Sequence, residues 1–142
     1  MKNTVAVLIV GGFLASLGVA VAAQATRSVN EGVYTADQAK KGEALYKETC
    51  AACHGDNLEG SGPMPPLAGK DFLANWTGKT LGDLYEKTQT TMPATAPGTL
   101  TPDQAADLVA FLLSKDNYPT GAAALVGKTE PLAQIKIEEP KQ

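Results

Sequence analysis

Cys50-Ala51-Ala52-Cys53-His54 is the stretch that decides the fold of this chain, because it holds both cysteines and the only histidine of the sequence. Two thiols at this spacing can each form a thioether with a vinyl group of one porphyrin. A histidine directly after the second cysteine is then placed to ligate the iron. The spacing therefore predicts a covalent haem site, with Cys50 and Cys53 as attachment points and His54 as an axial ligand.

Three other interpretations of this spacing stay open but fit less well. A closed zinc site needs four ligands, and two cysteines with one histidine leave no fourth ligand of the usual kind. A thioredoxin-like redox pair needs a βαβ setting, whereas the residues before Cys50 favour a helix and those after it favour a loop. A plain disulfide between Cys50 and Cys53 would give no reason for His54 to follow them.

Length and composition predict one small domain around a cofactor. The chain has 142 residues, of which the first 23 resemble a targeting segment, so we expect a single core. Aromatic residues make up only 6% of the chain, beside 14 glycines and 9 prolines, and a buried haem would fill the resulting deficit of apolar volume. The net charge is −3 and no basic patch is visible, which argues against a nucleic-acid partner.

The N-terminus has the layout of a secretory signal. A short positive start precedes an apolar run from Val5 to Ala23, and small residues at its end predict cleavage after Ala23. The alternative is an uncleaved membrane anchor, because this run is just long enough to span a bilayer. Either way we expect the remaining domain outside the cytoplasm, in the periplasm, with residues 24–34 as a flexible lead.

The first predicted helix delivers Cys50 at its C-terminal end. Thr35 is the expected N-cap, Gln38 completes a capping box, and good helix formers continue to Thr49. Gly42 in mid-helix costs about 1 kcal/mol relative to alanine. It therefore predicts a close crossing with another helix, although a merely tolerated glycine is the alternative.

The segment after His54 is a long loop of turn residues, residues 55–66, which we expect to cover one haem face. Pro66 and Leu67 follow, and the Pro66 carbonyl is the predicted acceptor for the second ring N–H of His54. A simple rigid turn at Pro66 is the alternative. Trp76 is either an ordinary core residue or a donor from its indole N–H to a haem propionate.

The second axial ligand is predicted to be Met92. Iron in an electron carrier is usually six-coordinate, and without a second histidine a methionine thioether is the candidate. Met64 lies only ten residues after His54 in the loop assigned to the histidine side, so it is the weaker choice, and an open sixth position is the third. Leu67, Leu81 and Leu108 are expected to surround the haem.

The last predicted helix starts at Pro102. Thr101 is its N-cap and Gln104 completes a second capping box, while Phe111 is expected to pack over Gly42 and Tyr46. We place the domain at residues 35–116 and an extended tail at 117–142. The alternating Ile135 and Ile137 allow a strap over the domain, and an extension that docks a partner is the alternative.

In this order the motifs resemble the class I c-type cytochromes, which carry one haem. The likeness covers residues 35–115: a helix with a glycine and an aromatic (42–46), the cysteine–histidine motif (50–54), a proline turn (66–69), a methionine loop (92–93) and a closing helix (107–112). The resemblance implies an all-α fold with the first and last helices crossing around one haem c held by two thioethers.

The resemblance implies a one-electron carrier that cycles between ferrous and ferric iron, with His54 and Met92 as ligands. It is nearest to secreted bacterial cytochromes that serve periplasmic dehydrogenases, including quinoprotein alcohol dehydrogenases. Expected partners are a redox donor and acceptor, such as a dehydrogenase, an oxidase or another cytochrome, with a membrane only if the N-terminal segment is uncleaved. No acid–base or nucleophilic constellation predicts an independent enzyme. A dehydrogenase subunit and a haem peroxidase or gas sensor are the alternatives.

Overall fold

The predicted all-α fold is confirmed. The structure, a computed structural model, describes residues 27–141, so the predicted signal segment lies outside the described residues. The elements follow in the order β1 (Arg27–Ser28), a 3₁₀ helix (Val29–Glu31), α1 (Ala36–Thr49), α2 (Ala51–His54), α3 (Gly69–Trp76), α4 (Leu81–Thr91), α5 (Pro102–Lys115), α6 (Thr129–Leu132) and β2 (Ile135–Lys136). Within these residues, no helix combines the length and apolarity needed to cross a membrane.

Helix α1 begins at its predicted cap, but only half of the predicted capping box forms. The Thr35 hydroxyl accepts a hydrogen bond from the Gln38 backbone N–H at 3.2 Å. The Gln38 side chain turns instead to the backbone of Leu125, donating to its carbonyl at 3.0 Å and accepting from its N–H at 2.8 Å. Gln38 therefore fastens the C-terminal segment to α1, because a buried amide satisfies both of its polar ends there.

The second capping box, at the start of α5, is confirmed in full. Gln104 N–H donates to the Thr101 hydroxyl at 3.3 Å, and the Thr101 N–H donates to the Gln104 side chain at 2.9 Å. Pro102 occupies the first turn, where its missing N–H costs nothing. These local signals lie within four residues of each other, which is why the sequence locates this helix start.

The crossing of α1 and α5 is confirmed and depends on Gly42. A Cβ at this position would collide with the backbone carbonyl of Asp107 and with Cβ of Phe111. One turn along α1, the rings of Tyr46 and Phe111 pack with centroids 5.3 Å apart. Gly42 therefore allows the two helix backbones to approach to the distance at which these rings interlock.

The prediction of a flexible lead is wrong for residues 27–34. Arg27 lies opposite Ile135 in a parallel pair of short strands, and Val29 and Tyr34 are buried in the core. The Tyr34 hydroxyl also donates to the Tyr118 carbonyl at 2.6 Å. The sequence did not predict this packing, because the partners of residues 27–34 lie about a hundred positions later in the chain.

The C-terminal segment packs as a strap over the domain. Leu125, Leu132, Ile135 and Ile137 are buried in the same core as the helices. The backbone of Ile137 pairs with the turn between α3 and α4, accepting from Gly78 N–H at 2.8 Å and donating to the Lys79 carbonyl at 2.9 Å. The strap therefore fixes the turn that follows α3.

Candidate functional site

Helix α2 presents the cysteine–histidine motif as one tight turn. Cys50 separates α1 from α2, and the His54 N–H donates to the Cys50 carbonyl at 3.0 Å. Cys50 is half-buried and Cys53 is exposed, and both are free thiols. Burial raises the pKa of the Cys50 thiol above its ordinary value of 9.0. The two sulfur atoms and the imidazole therefore belong to one short rigid segment.

Tyr46 holds the end of this turn from α1. Its hydroxyl donates to the Gly55 carbonyl at 2.6 Å, directly after His54. Burial, with a smaller contribution from Cys50, raises the pKa of Tyr46 to about 12, so the hydroxyl remains a donor at neutral pH. The aromatic residue of α1 thus contributes both to the helix crossing and to the position of the histidine.

The ring of His54 is oriented by a carbonyl, but the predicted acceptor is wrong by one residue. Nδ1 lies 2.9 Å from the carbonyl oxygen of Pro65, not Pro66. A carbonyl oxygen can only accept, so Nδ1 carries the proton and Nε2 keeps the lone pair that a metal needs. The loop register decides this, because Leu67 N–H is tied to the Leu58 carbonyl at 2.8 Å and places Pro65 beside the imidazole.

Met92 directly follows α4. The helix runs to Thr91, three residues beyond its predicted end near Thr88, and the Met92 N–H still donates to the Thr88 carbonyl at 3.2 Å. The Met92–Pro93 peptide bond is cis. Met92 is half-buried and reaches the same cavity as the cysteines.

One cavity collects the predicted ligands from separate parts of the chain. Most of its lining is apolar, and the side chains come from α1, α2, the 55–68 loop, α3, α4, the segment after α4, and α5. The lining consists of Tyr46, Thr49, Cys50, Cys53, His54, Met64, Pro65, Leu67, Trp76, Leu84, Lys87, Thr88, Met92, Pro93, Ala94, Thr95, Leu108 and Leu112. The cavity thus brings two thiols, an imidazole and two thioethers together within one mainly apolar wall.

The apolar wall contains most of the predicted leucines. Leu67 and Leu108 line the cavity, but Leu81 is fully buried elsewhere in the core. Leu84, almost one turn later on α4, takes its place, because residues three positions apart share a helix face only approximately. The sequence showed both leucines as apolar, but it could not show which of them lines the cavity.

Trp76 lines the cavity as a half-buried residue. Its ring lies 6.2 Å from the ring of Phe72, and Lys79 Nζ lies 4.8 Å from its centroid. These contacts fix the indole in the cavity wall. The predicted hydrogen bond from its indole N–H to a haem propionate stays a prediction. Pro66, which was also predicted to contribute to the haem site, does not line the cavity.

The donor set fits a covalently held haem better than a bare metal ion. The two free thiols lie on one turn, Nε2 of His54 is available, and the surrounding wall is apolar. Among residues 27–141, no group of three or more histidine, cysteine or acidic side chains is placed to hold a metal ion. The zinc interpretation of the cysteine spacing therefore has no support in this part of the chain.

Comparison with known proteins gives the same assignment. The family model described as "Cytochrome C oxidase, cbb3-type, subunit III" matches residues 37–112, from the first turn of α1 to the last turn of α5. Cytochrome c-551 of Bacillus subtilis (strain 168) is 36% identical over 74 residues, which is 49% of this chain and 66% of the relative.

A solved structure shows the same fold. A chain in the crystal structure of the sulfane dehydrogenase SoxCD from Paracoccus pantotrophus superposes with a TM-score of 0.52 at 24% identity, over 89% of this chain and 66% of that chain. This chain therefore spans just under two thirds of the length of each of these two relatives.

Proposed function

Because the chain belongs to the c-type cytochrome family described as cytochrome c oxidase, cbb3-type, subunit III, and so carries covalently bound haem c, we propose that it is an electron carrier with His54 and Met92 as axial ligands. Electron transport is the function of this family. The observation that supports the ligand pair is the shared cavity, which His54 enters from α2 and Met92 from the end of α4.

Each site residue then has a defined task. Cys50 and Cys53 tether the cofactor, and His54 offers Nε2 to the iron while Pro65 fixes its ring. When bound, the haem supplies a single iron that alternates between the ferrous and ferric states. A thioether ligand from Met92 favours the ferrous state, and the apolar wall excludes water from the site.

Met92 is preferred over Met64, although both line the cavity. Met64 precedes Pro65, whose carbonyl binds the edge of the imidazole that faces away from a metal, and a backbone bridge to Ser61 holds it in that loop. A second iron ligand would have to reach the cavity from a segment other than the one that orients His54. Met92 arrives on a different segment, beyond α4, which allows that approach.

A peroxidase function is the less favoured candidate. Catalysis at an open iron site needs an acid–base group near the substrate. Among the described residues, the cavity lining includes no aspartate or glutamate, and the only imidazole is that of His54. The lining therefore supports electron transfer rather than proton-coupled chemistry on a substrate.

We propose that the donor and acceptor are redox proteins, such as a periplasmic dehydrogenase and an oxidase or another cytochrome. The second candidate is a cytochrome subunit of a dehydrogenase complex, including a quinoprotein alcohol dehydrogenase. The structure of similar fold belongs to a protein named a sulfane dehydrogenase, which favours testing this candidate. A subunit should co-purify with a larger catalytic chain, whereas a free carrier should purify alone.

The proposed location is the periplasm, supported by the signal-like pattern from Val5 to Ala23. The mature chain should begin near Gln24 and appear in the extracytoplasmic soluble fraction. N-terminal sequencing tests this, and an intact Met1 in the membrane fraction would indicate an anchor instead.

A redox titration of the purified holoprotein tests the function itself. Visible absorbance followed under anaerobic conditions should fit one reversible one-electron step, and the haem should stay with the polypeptide through acid–organic extraction. Rapid consumption of hydrogen peroxide with an organic electron donor would instead support a peroxidase. Release of free haem on extraction would contradict attachment through Cys50 and Cys53.

A further inference from the structure

Asp116 is a buried carboxylate with no task in the site described so far. It follows the last residue of α5 and is only 5% exposed. Its Oδ1 accepts a hydrogen bond from the Gly69 N–H at 2.6 Å, whereas its Oδ2 has no partner among the described residues. Burying an ionisable group with an unsatisfied oxygen is costly, so its position calls for a physical reason.

The reason lies at the start of α3. Ala68 is the N-cap residue of this helix and offers no side-chain oxygen, so the first N–H, of Gly69, would otherwise lack a partner. Asp116 supplies the missing acceptor from 47 positions later in the chain. A negative charge is favoured at the N-terminus of α3 and disfavoured at the C-terminus of α5, so Asp116 serves α3 rather than its own helix.

This bond lies directly behind the wall of the haem cavity. Leu108 and Leu112 of α5 line the cavity, and Asp116 follows on the same helix face, one turn after Leu112. From the other side, Leu67 lines the cavity two residues before Gly69. The Asp116–Gly69 bond therefore joins the two pieces of wall that α5 and the 55–68 loop contribute.

The same bond anchors the far end of the loop that orients the histidine. The loop leaves from His54 and is tied to itself where Gly60 N–H donates to the His54 carbonyl and Leu67 N–H to the Leu58 carbonyl. Those bonds fix its shape but do not attach it to α5. The bond from Gly69 to Asp116 does, four residues after the Pro65 carbonyl that accepts from His54 Nδ1.

We propose that Asp116 is a positioning residue for the axial histidine: it holds the loop so that the Pro65 carbonyl stays on His54 Nδ1. The inference rests on the proposed role of His54 as iron ligand. A hydrogen bond at Nδ1 fixes the ring angle and makes the imidazole a stronger electron donor. Asp116 therefore acts on the redox centre from behind the wall, without contact with the cofactor.

The test compares three variants of the holoprotein. Asp116→Ala removes the acceptor, Asp116→Asn keeps an acceptor oxygen without the charge, and Asp71→Ala is the control. Asp71 is an exposed carboxylate in the first turn of the same helix, so its loss changes the charge at that helix end but leaves the bond to Gly69 intact. The readouts are the solvent exchange rate of the His54 Nδ1 proton in the ferrous state, measured by NMR, and the midpoint potential.

In Asp116→Ala the Nδ1 proton should exchange about tenfold faster or more, the factor expected when a hydrogen bond to a charged group is lost and the loop opens more often. Asp116→Asn should restore slow exchange, and Asp71→Ala should leave it unchanged. The midpoint potential should rise in both Asp116 variants, because each removes a buried negative charge. It should rise further in Asp116→Ala, because the imidazole also donates less strongly.

The inference is overturned if Asp116→Ala folds with its haem and the Nδ1 proton exchanges at the wild-type rate. If Asp116→Ala does not fold, hydrogen exchange in the wild-type protein provides the test. Added denaturant should then accelerate the exchange of the Gly69 amide and of the His54 Nδ1 proton in parallel, and independent responses would overturn the inference. Failure of the proposed role of His54 as iron ligand is distinguishable, because the wild-type ferrous spectrum would then lack a ligated imidazole altogether.

Discussion

Replacing Gly42 by alanine tests the helix crossing, because two physical effects predict opposite signs. Alanine favours a helix over glycine by about 1 kcal/mol. Against this, the new Cβ would overlap the Asp107 carbonyl, and a backbone atom cannot move unless α5 moves with it. Overpacking costs about 1–3 kcal/mol, with a backbone collision at the upper end, so the net destabilisation should be about 2 kcal/mol.

The assay is thermal unfolding of the ferric holoprotein, followed by far-ultraviolet circular dichroism and by haem absorbance. A loss of about 2 kcal/mol should lower the melting temperature by about 8 °C in a domain of this size. Lys40→Ala is the matched control on an exposed position of α1, where it breaks only a weak ion pair and should change stability by less than about 0.5 kcal/mol. A Gly42→Ala variant that is more stable than the wild type would refute the close crossing.

Gln38→Ala should lower the free energy of unfolding by about 2–4 kcal/mol, because it leaves the buried N–H and carbonyl of Leu125 without partners. Faster hydrogen exchange at the Leu125 amide would confirm the loss of these bonds. Burial raises the pKa of the Asp116 carboxyl above its ordinary value of 3.8, so its contribution to stability is largest below that value and declines as pH rises through the pKa in the folded state. The unfolding free energy of the wild type minus that of Asp116→Asn should therefore fall with rising pH in that window, and a flat difference would contradict the shift. Replacing both Cys50 and Cys53 by serine should leave little stable holoprotein, as recovery of haem-loaded protein would show, because the small core depends on the bound cofactor.

The parts of the structure that follow from neighbouring residues could be read from the sequence. The cap at Thr101 and the glycine at the crossing are local features whose physical meaning does not depend on distant partners. The cysteine–histidine motif is equally local, and it determines the cofactor. Met92 could be assigned to the cavity because so few other groups in the chain can serve as soft ligands.

The parts that depend on tertiary register could not be read in the same way. Whether the carbonyl of Pro65 or of Pro66 accepts from the histidine depends on a backbone bond from Leu67 to Leu58 across the loop. The sequence predicted a local hydrogen bond from the Gln38 side chain at the start of α1, but this side chain bonds to the backbone of Leu125 in the tail instead.

Asp116 was detectable in principle. A carboxylate at the C-terminus of a helix opposes the helix dipole, and such a conflict often indicates a partner elsewhere in the fold. The sequence does not name that partner, because Gly69 lies 47 positions earlier. The folding of residues 27–34 could not be read for the same reason, because their strand pairs with residues about a hundred positions later. The alternation of Ile135 and Ile137 allowed the strap, but it did not identify this partner.

Carbon monoxide binding by two methionine variants tests the central claim of a closed electron-transfer site most directly. Met64 and Met92 both line the cavity, so Met64→Ala is a matched control for Met92→Ala. A thioether on the iron occupies the sixth position. Ferrous wild type and Met64→Ala should therefore bind carbon monoxide poorly at neutral pH and keep the weak long-wavelength ferric band of sulfur ligation, while Met92→Ala should bind the gas and lose the band. Ready binding by the wild type, with Met92→Ala behaving in the same way, would contradict the account.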